Sequence, residues 1–402
     1  MSVRSDRGTA GREFRLAETD RLLMLAPHPD DEALAAGGLL QHAVERGAAV
    51  RVLYVSSGEN NPWAQRVNEG KWHLDASARV RWGARRWDEA LAALACLGVP
   101  ASSAQRLGFP DQGLTELLLG GDQELVALLA QEIARWRPTI LLVPAPWDIH
   151  PDHNALAVLA HFAHARGVPG SVTVLQYVVH GRARPQLRDP VRLSLSEAMR
   201  ARKREAILCH RTQLPLRRSY LLRFAGDAES FAVAAGPPDG DADHPVTAVS
   251  IEGGSLRVTI ARPLPFGVGR PRLLAVFECV GDDAARLGIQ LDLRAGLGRL
   301  VDGRASGREP TGVPLQSDRR CVRVSLPLPD LFVADGKRSV FVKLERPAMR
   351  RLGLFDAFGW RQVALSRPAH AGLEGTPSRE PKVAGAMPVL TSAAAPRTLG
   401  VR

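Results

Sequence analysis

Aromatic residues make up only 5% of this 402-residue chain, and cysteine occurs four times. The cysteines, Cys96, Cys209, Cys279 and Cys321, lie far apart and form no CxxC pair. That spacing excludes a cysteine metal site and points to free thiols in a reducing compartment, read as the cytoplasm. No run of about 18 apolar residues is present to span a bilayer. The opening stretch, "MSVRSDRGTAGREFRLAETD", lacks the apolar core of a secretory signal. Acids are outnumbered, 42 against 53 lysines and arginines, for a net charge of +11. Such an excess marks a nucleic-acid binder when it is clustered and interleaved with stacking aromatics. The basic runs at Arg81 to Arg86, Arg182 to Arg192, Arg200 to Arg204 and Arg350 to Arg351 are short and lack that interleaving. A basic, arginine-rich surface without a nucleic-acid partner is the reading.

What is present describes an ordinary globular protein, 45% hydrophobic and 24% charged, long enough for two domains. From Arg21 short apolar runs alternate with helical patterns: "RLLMLAP", "DEALAAGGLLQHAVERGA", "AVRVLYVSSGE", "WGARRWDEALAALACLGV", "TELLLGGDQELVALLAQEIARWRP", "TILLVPAP", "DHNALAVLAHFAHARG" and "SVTVLQYVVHG". This alternation predicts an α/β fold, a Rossmann-like, doubly wound, mostly parallel sheet with flanking helices. The segment from Asn60 to Asp75 reads as a long functional loop. After about Gly236 the pattern changes to short alternating runs such as "VTAVSIEGG", "RLLAVFECVG" and "RSVFVKLERP", the mark of a smaller all-β, sandwich-like domain. The expected organisation is a flexible N-terminus over 1–17, a catalytic domain over 18–236, a linker over 237–245, a β-rich domain over 246–365 and a disordered tail over 366–402.

The chemistry concentrates in two stretches, "PHPDDE" at Pro27 to Glu32 and "DIHPDH" at Asp148 to His153. Each follows a predicted strand and precedes a helix, so both reach the carboxyl edge of the sheet, where such folds bind ligands. His28, Asp30, Asp31 and Glu32 cannot all be buried as charges without a compensating cation. A divalent metal supplies one. Asp30 and Asp31 capping the next helix is the alternative, weakened by Asp148, His150, Asp152 and His153 arriving at an equivalent position. Two histidines and one aspartate leave a zinc position open to water. A free carboxylate beside them can act as general base, and a further histidine can stabilise an oxyanion or protonate a leaving amine. The inventory suits hydrolysis of an amide or ester.

At these residues the sequence resembles the LmbE/PIG-L family of zinc-dependent N-acetylglucosamine deacetylases. "PHPDDE", with Pro27 in place of the usual alanine, and "HPDH" at His150 to His153 match its signatures. "RWDEALAALACLGV", "LGFPDQGL" and "KREAILCHRTQ" extend the resemblance across about residues 18 to 235. It implies that His28, Asp31 and His153 bind Zn²⁺, that Asp30 is the general base, and that His150, oriented by Asp152, stabilises the tetrahedral intermediate. Arg86 and Asp111 match positions associated with substrate contacts. Fe²⁺ is the other metal that such a ligand set takes. The expected activity is removal of an N-acetyl or short N-acyl group from an amino sugar or glycoconjugate. The alternatives are a zinc amidohydrolase acting on a non-sugar metabolite and an inactive glycan-binding protein. Trp63 and Trp147 are candidates to stack on a sugar ring, whereas His180 is read as a core histidine. Neither oligomeric state nor the role of the β-rich domain is written in the residues.

Overall fold

The computed structural model describes residues 12–363, apart from residue 122 and the segments 167–171, 182–189, 235–243, 263–270, 281–284, 303–310, 330–336 and 346–354. The expected linker, apart from His244 and Pro245, the tail over 366–402 and most of the N-terminal segment lie outside the described residues.

The first part runs β1 (Arg12–Glu13), β2 (Arg21–Ala26), α1 (Asp31–Glu45), β3 (Ala49–Ser56), α2 (Pro62–Glu69), α3 (Ala76–Cys96), β4 (Ala104–Phe109), α4 (Leu114–Leu119), α5 (Glu124–Trp136), β5 (Ile140–Pro144), α6 (Pro151–Ala165), β6 (Thr173–Tyr177), β7 (Val191–Ser194), α7 (Glu197–Cys209), α8 (Leu214–Leu221) and β8 (Ala228–Val233). Its sheet has the order β1-β7-β8-β6-β5-β2-β3-β4. Strands β4, β3, β2, β5 and β6 pair in parallel, while β8 runs antiparallel to β6 and β7. The chain winds from β2 outward to β4, then returns to β5 on the other side of β2. The switch point therefore lies between β2 and β5.

The side-chain period of two explains why the central strands are apolar throughout. Leu22 and Met24 enter one core with α1, α3 and α7, whereas Leu23 and Leu25 enter the other with α4, α5 and α6. The expected loop from Asn60 to Asp75 contains α2 instead. Asn61 caps that helix through Ala64 N, Pro62 opens it, and Gly70 ends it in the left-handed region. These are ordinary start and stop signals in a segment too short and polar to show a clear period. The stretch from Thr115 to Pro138 is two helices, divided at Gly120 and Gly121. Two thiols far apart in sequence meet, with Cys96 Sγ 3.6 Å from Cys209 Sγ.

The second part is β9 (Val246–Glu252), β10 (Ser255–Ala261), β11 (Arg272–Val280), β12 (Ala285–Asp292), β13 (Leu297–Asp302), β14 (Thr311–Gly312), β15 (Leu315–Ser317), β16 (Cys321–Pro327), β17 (Lys337–Glu345) and β18 (Arg361–Gln362). They form antiparallel sheets of order β15-β16-β10-β9 and β14-β13-β12-β11-β17-β18, packed face to face through Val258, Ile260, Leu273, Phe277 and Val342. The larger sheet is buried on both sides. Alternate residues Leu274, Val276 and Phe341, joined by Trp360, insert into the α4–α6 core, each burial worth about 1.5–3 kcal/mol. The turn at Gly359 comes so close to the loop after β5 that a Cβ there would lie 2.1 Å from Pro146 O. Trp360 N donates to Pro146 O at 2.6 Å and Asp356 N to Ile149 O at 2.8 Å.

His161 of α6 lies in this contact, 2.9 Å from Ser339 Oγ and edge-on to Phe341. Burial, with nearby His164, pushes its pKa down to about 4. A folded pKa below the free value of 6.5 favours the neutral ring, so its stabilisation is complete above pH 6.5 and fades towards pH 4. The full swing is worth up to roughly 3 kcal/mol. His161→Phe is expected to show a smaller fall in urea midpoint than wild type between pH 7 and 5; identical falls would remove His161 from that response.

Candidate metal centre and active site

The ends of β2 and β5 deliver the two acidic stretches to adjacent positions. Ring nitrogens of His28, His150 and His153 converge within 4.8 Å of one another. Asp31 lies between two of these rings, with Oδ1 3.3 Å from His153 Nε2 and Oδ2 3.6 Å from His28 Nδ1. His28 Nε2 faces Asp111 at 3.1 Å and Asp152 at 3.4 Å. Asp148 anchors the rear, accepting from the backbone of His150, Val179 and His180, with Oδ2 3.2 Å from His153 Nδ1.

Neither Asp30 nor Asp31 caps α1 through its side chain. Asp30 occupies the N-cap position without a side-chain capping bond, at φ 135° and ψ −25°, a conformation that costs a non-glycine residue strain and is found where function demands it. Its carboxylate instead meets Arg86 Nη2 at 3.1 Å. Arg86 is buried, donating to Gly58 O and Pro29 O. Gly58 must be glycine here, because φ is +62° and a Cβ would lie 2.0 Å from Arg86 Nη1. Asp31 Oδ2 accepts from His28 N. Glu32 accepts from Asp30 N and holds His210 at 2.8 Å.

Electrostatics favour a cation at the centre. Asp30, Asp31, Asp111, Asp148 and Asp152 crowd a region in which the buried Arg86 pairs with Asp30. Burial opposes charging of His153, yet Asp31 and Asp148 outweigh it and hold its pKa up at about 10. His28 is likewise raised well above 6.5, with burial outweighed chiefly by Asp111. Asp31 is driven well below the carboxylate range despite its burial, principally by His153. Burial and the neighbouring histidines His28, His153 and His180 keep His150 neutral. Burial pushes Asp30 up, partly offset by Arg86.

The donor set fits a divalent metal. Both ring nitrogens of fully buried His153 lack an aligned hydrogen bond, although carboxylate oxygens lie 3.3 and 3.2 Å away. Tetrahedral ligands at metal distances of about 2.0–2.2 Å stand about 3.3–3.6 Å apart, so the His153–Asp31 spacing suits a shared ion.

A small cavity of about 170 Å³ opens onto His28, Asp30, Asp31, Arg86, Asp111 and His150, with Trp63 at its mouth. Trp63 is 53% exposed there. Trp147 lines neither that cavity nor its larger neighbour, and its backbone receives Gly359. The carboxylate of Asp152 faces His28 and the backbone N–H groups of Gln112 and Leu114; its own N–H donates to His150 Nδ1 at 3.2 Å. His180, read from sequence as a core histidine, lines the cavity and lies 5.1 Å, centroid to centroid, from His150. Its position after β6, the strand next to β5, was the available signal. Phe355 carried no local signal: it reaches the cavity from the β-rich part, 5.7 Å from the His150 ring.

A doubly wound sheet with histidines and acids gathered at its switch point defines an α/β protein with a buried polar site. Residues 23–164 match the family described as PIG-L, GlcNAc-PI de-N-acetylase, and the chain thus carries a PIG-L (LmbE) family domain. It is 35% identical over 153 residues to a 1D-myo-inositol 2-acetamido-2-deoxy-alpha-D-glucopyranoside deacetylase of Mycolicibacterium gilvum, a match covering 34% of this chain and 51% of that protein. The chain spans about half the length of the curated relatives it matches. Among solved structures it aligns with a conserved protein of Thermus thermophilus, at 26% identity and a TM-score of 0.40, covering 54% of this chain and 95% of that one. It also aligns with the N,N'-diacetylchitobiose deacetylase of Pyrococcus horikoshii, at 20% identity and a TM-score of 0.42, covering 53% and 83%. No helix among the described residues is long and apolar enough to cross a membrane.

Proposed function

We propose that this chain is a metal-dependent hydrolase that removes an acetyl or other short acyl group from the amino group of an amino sugar or glycoconjugate. The carrying observation is that Asp31 lies between His28 and His153, with His153 deprived of aligned partners, beside an Asp30 that does not cap its helix and pairs with Arg86 instead. The named relatives support the choice of bond and substrate class.

His28, Asp31 and His153 would hold the ion, zinc first and ferrous iron second. When bound, it supplies polarisation of the amide carbonyl and a water of lowered pKa. Asp30 takes the proton of the attacking water. Burial raises its pKa, strengthening it as a base, and Arg86 holds the carboxylate in place at 3.1 Å. His150 acts opposite. Because its Nδ1 accepts from Asp152 N, the neutral ring carries its proton on Nε2 and can donate to the carbonyl oxygen as negative charge develops. Asp152 steadies His28 and Asp148 steadies His153, each holding a ring in register. Asp111 and Arg86 border the space for the sugar.

The test joins two measurements on the full chain: metal content as purified, and amine release from a panel of N-acetylated amino sugars. About one ion per chain with amine release is expected, and His153→Ala is expected to lose the metal. Full occupancy in that variant would remove His153 from the ligand set, and wild-type protein without metal would return the acids to a structural role.

A further inference from the structure

Beside the small cavity lies a second, more open one of about 800 Å³. The two share His180, Leu216, Arg217, Tyr220 and Phe355 as a common wall. Pockets that hold drug-sized ligands measure roughly 300–1,000 Å³, so the inner space of about 170 Å³ takes the acylamino group and the part of the sugar ring that carries it, while the outer one has room for a substantial further group.

Their linings differ in chemistry. The inner cavity carries Asp30, Asp31 and Asp111 together with Arg86 and, at its outer wall, Arg217. No carboxylate lines the outer chamber, whose polar side chains include Arg217 and Arg218. Among the described residues neither arginine is engaged in an ion pair, and both are exposed. Helix α8 breaks at Arg217, where φ is −141° and ψ is 19°, and its guanidinium stands 5.5 Å from the centre of the Phe355 ring. Apart from His180 and Ser219, the rest of the wall is mainly apolar or aromatic, including Leu214, Pro215, Leu216 and Tyr220, with Leu216 50% exposed. Phe355 is held firmly, since the next residue, Asp356, donates its N–H to Ile149 O and accepts from Asn154 Nδ2. An aromatic wall fixed in advance costs little entropy on binding.

We infer that the outer chamber, completed by Phe355 of the β-rich part, binds the portion of the substrate beyond the amino sugar, and that this portion is a flat apolar group carrying an anion. The inference rests on the hydrolase reading for what occupies the inner cavity. Position sets the direction of entry: Arg218, which lines the outer space alone, and Arg217, at the wall between the two, hold the anion away from the metal ligands, leaving the acylamino end to reach Asp30 and His150. Phe355 and Tyr220 supply faces for stacking, and the arginines supply charge-assisted hydrogen bonds.

The test uses 2-naphthalenesulfonate and neutral 2-naphthalenemethanol as probes, titrated into the full chain by calorimetry. Wild-type protein is expected to bind the sulfonate at one site, about tenfold or more tighter than the alcohol. Arg217→Ala/Arg218→Ala, changing exposed side chains only, should bring the two within about twofold. Phe355→Ala should weaken both by about two- to tenfold. Equal affinities in wild type, or a preference unaffected by the arginines, would overturn the inference. In parallel, amine release from N-acetylglucosamine is compared with that from its 6-sulfonato-2-naphthyl glycoside. A higher kcat/KM for the glycoside that declines in the arginine variant is the expected result; equal values would overturn the assignment as a substrate site. Sulfonate binding as described without amine release from either sugar would sink the hydrolase reading and leave the anion-binding chamber standing.

Discussion

Asp30→Asn is expected to bind as much metal as the wild-type protein and to release amine about 10²- to 10⁴-fold more slowly, the range associated with losing a general base. The expectation follows from geometry. Asp30 lies next to Asp31 in sequence, yet its Oδ2 turns to Arg86 at 3.1 Å, whereas Asp31 reaches towards both His28 and His153. Asparagine matches aspartate in shape, so the backbone at φ 135° is no less accessible to it, and the amide oxygen can still accept from Arg86. What disappears is the ability to receive a proton. Asp31→Asn is the contrast: it weakens a proposed ligand and should reduce metal content. Metal analysis and single-turnover rates on the two variants separate the roles, and a metal-free Asp30→Asn protein would exchange them.

Much of this site was legible because its residues are bound to the topology. His28 to Asp31 and His150 to His153 each follow an apolar run and open a helix, and parallel pairing of β2 with β5 makes the two stretches neighbours. Asp148 was visible in the same way, although its task of holding His153, His180 and three backbone N–H groups depends on distances that no spacing encodes. Two features escaped for a physical reason. Helix α2 is short and polar, so its caps carry more information than its period. Phe355 enters the site from a different sheet, through packing between faces rather than through position along a strand. A hint existed in "RLLAVFECV". An antiparallel strand exposed on one side alternates, whereas Leu273 to Phe277 is apolar without interruption and buried on both sides, towards the sandwich through Leu273, Ala275 and Phe277 and towards α6 through Leu274 and Val276.

That contact supplies the second large expectation: Lys343→Met should destabilise the protein by about 3–5 kcal/mol, the usual consequence of removing one member of a buried ion pair. Lys343 is fully buried, pairs with Asp356 and lies 3.1 Å from Asn154 Oδ1, next to His153 on α6. Methionine replaces most of its volume, leaving Asp356 charged and enclosed. Glu345 also responds to the lysine, since burial raises its pKa and Lys343 opposes the rise. The loss is therefore electrostatic rather than one of packing, and a second substitution can expose that origin. Lys343→Met with Asp356→Asn removes the stranded charge while retaining a polar partner for Asn154, and it should recover more than half of the lost stability. Urea midpoints at constant slope measure both, and a double variant no more stable than the single one would assign the cost to cavity or shape. Because Phe355 is placed by Asp356, the single variant should also loosen the wall shared by the two cavities. Its affinity for 2-naphthalenesulfonate should fall even at temperatures where the chain remains folded, which ties the stability of the β-rich part to the chemistry at the end of β5.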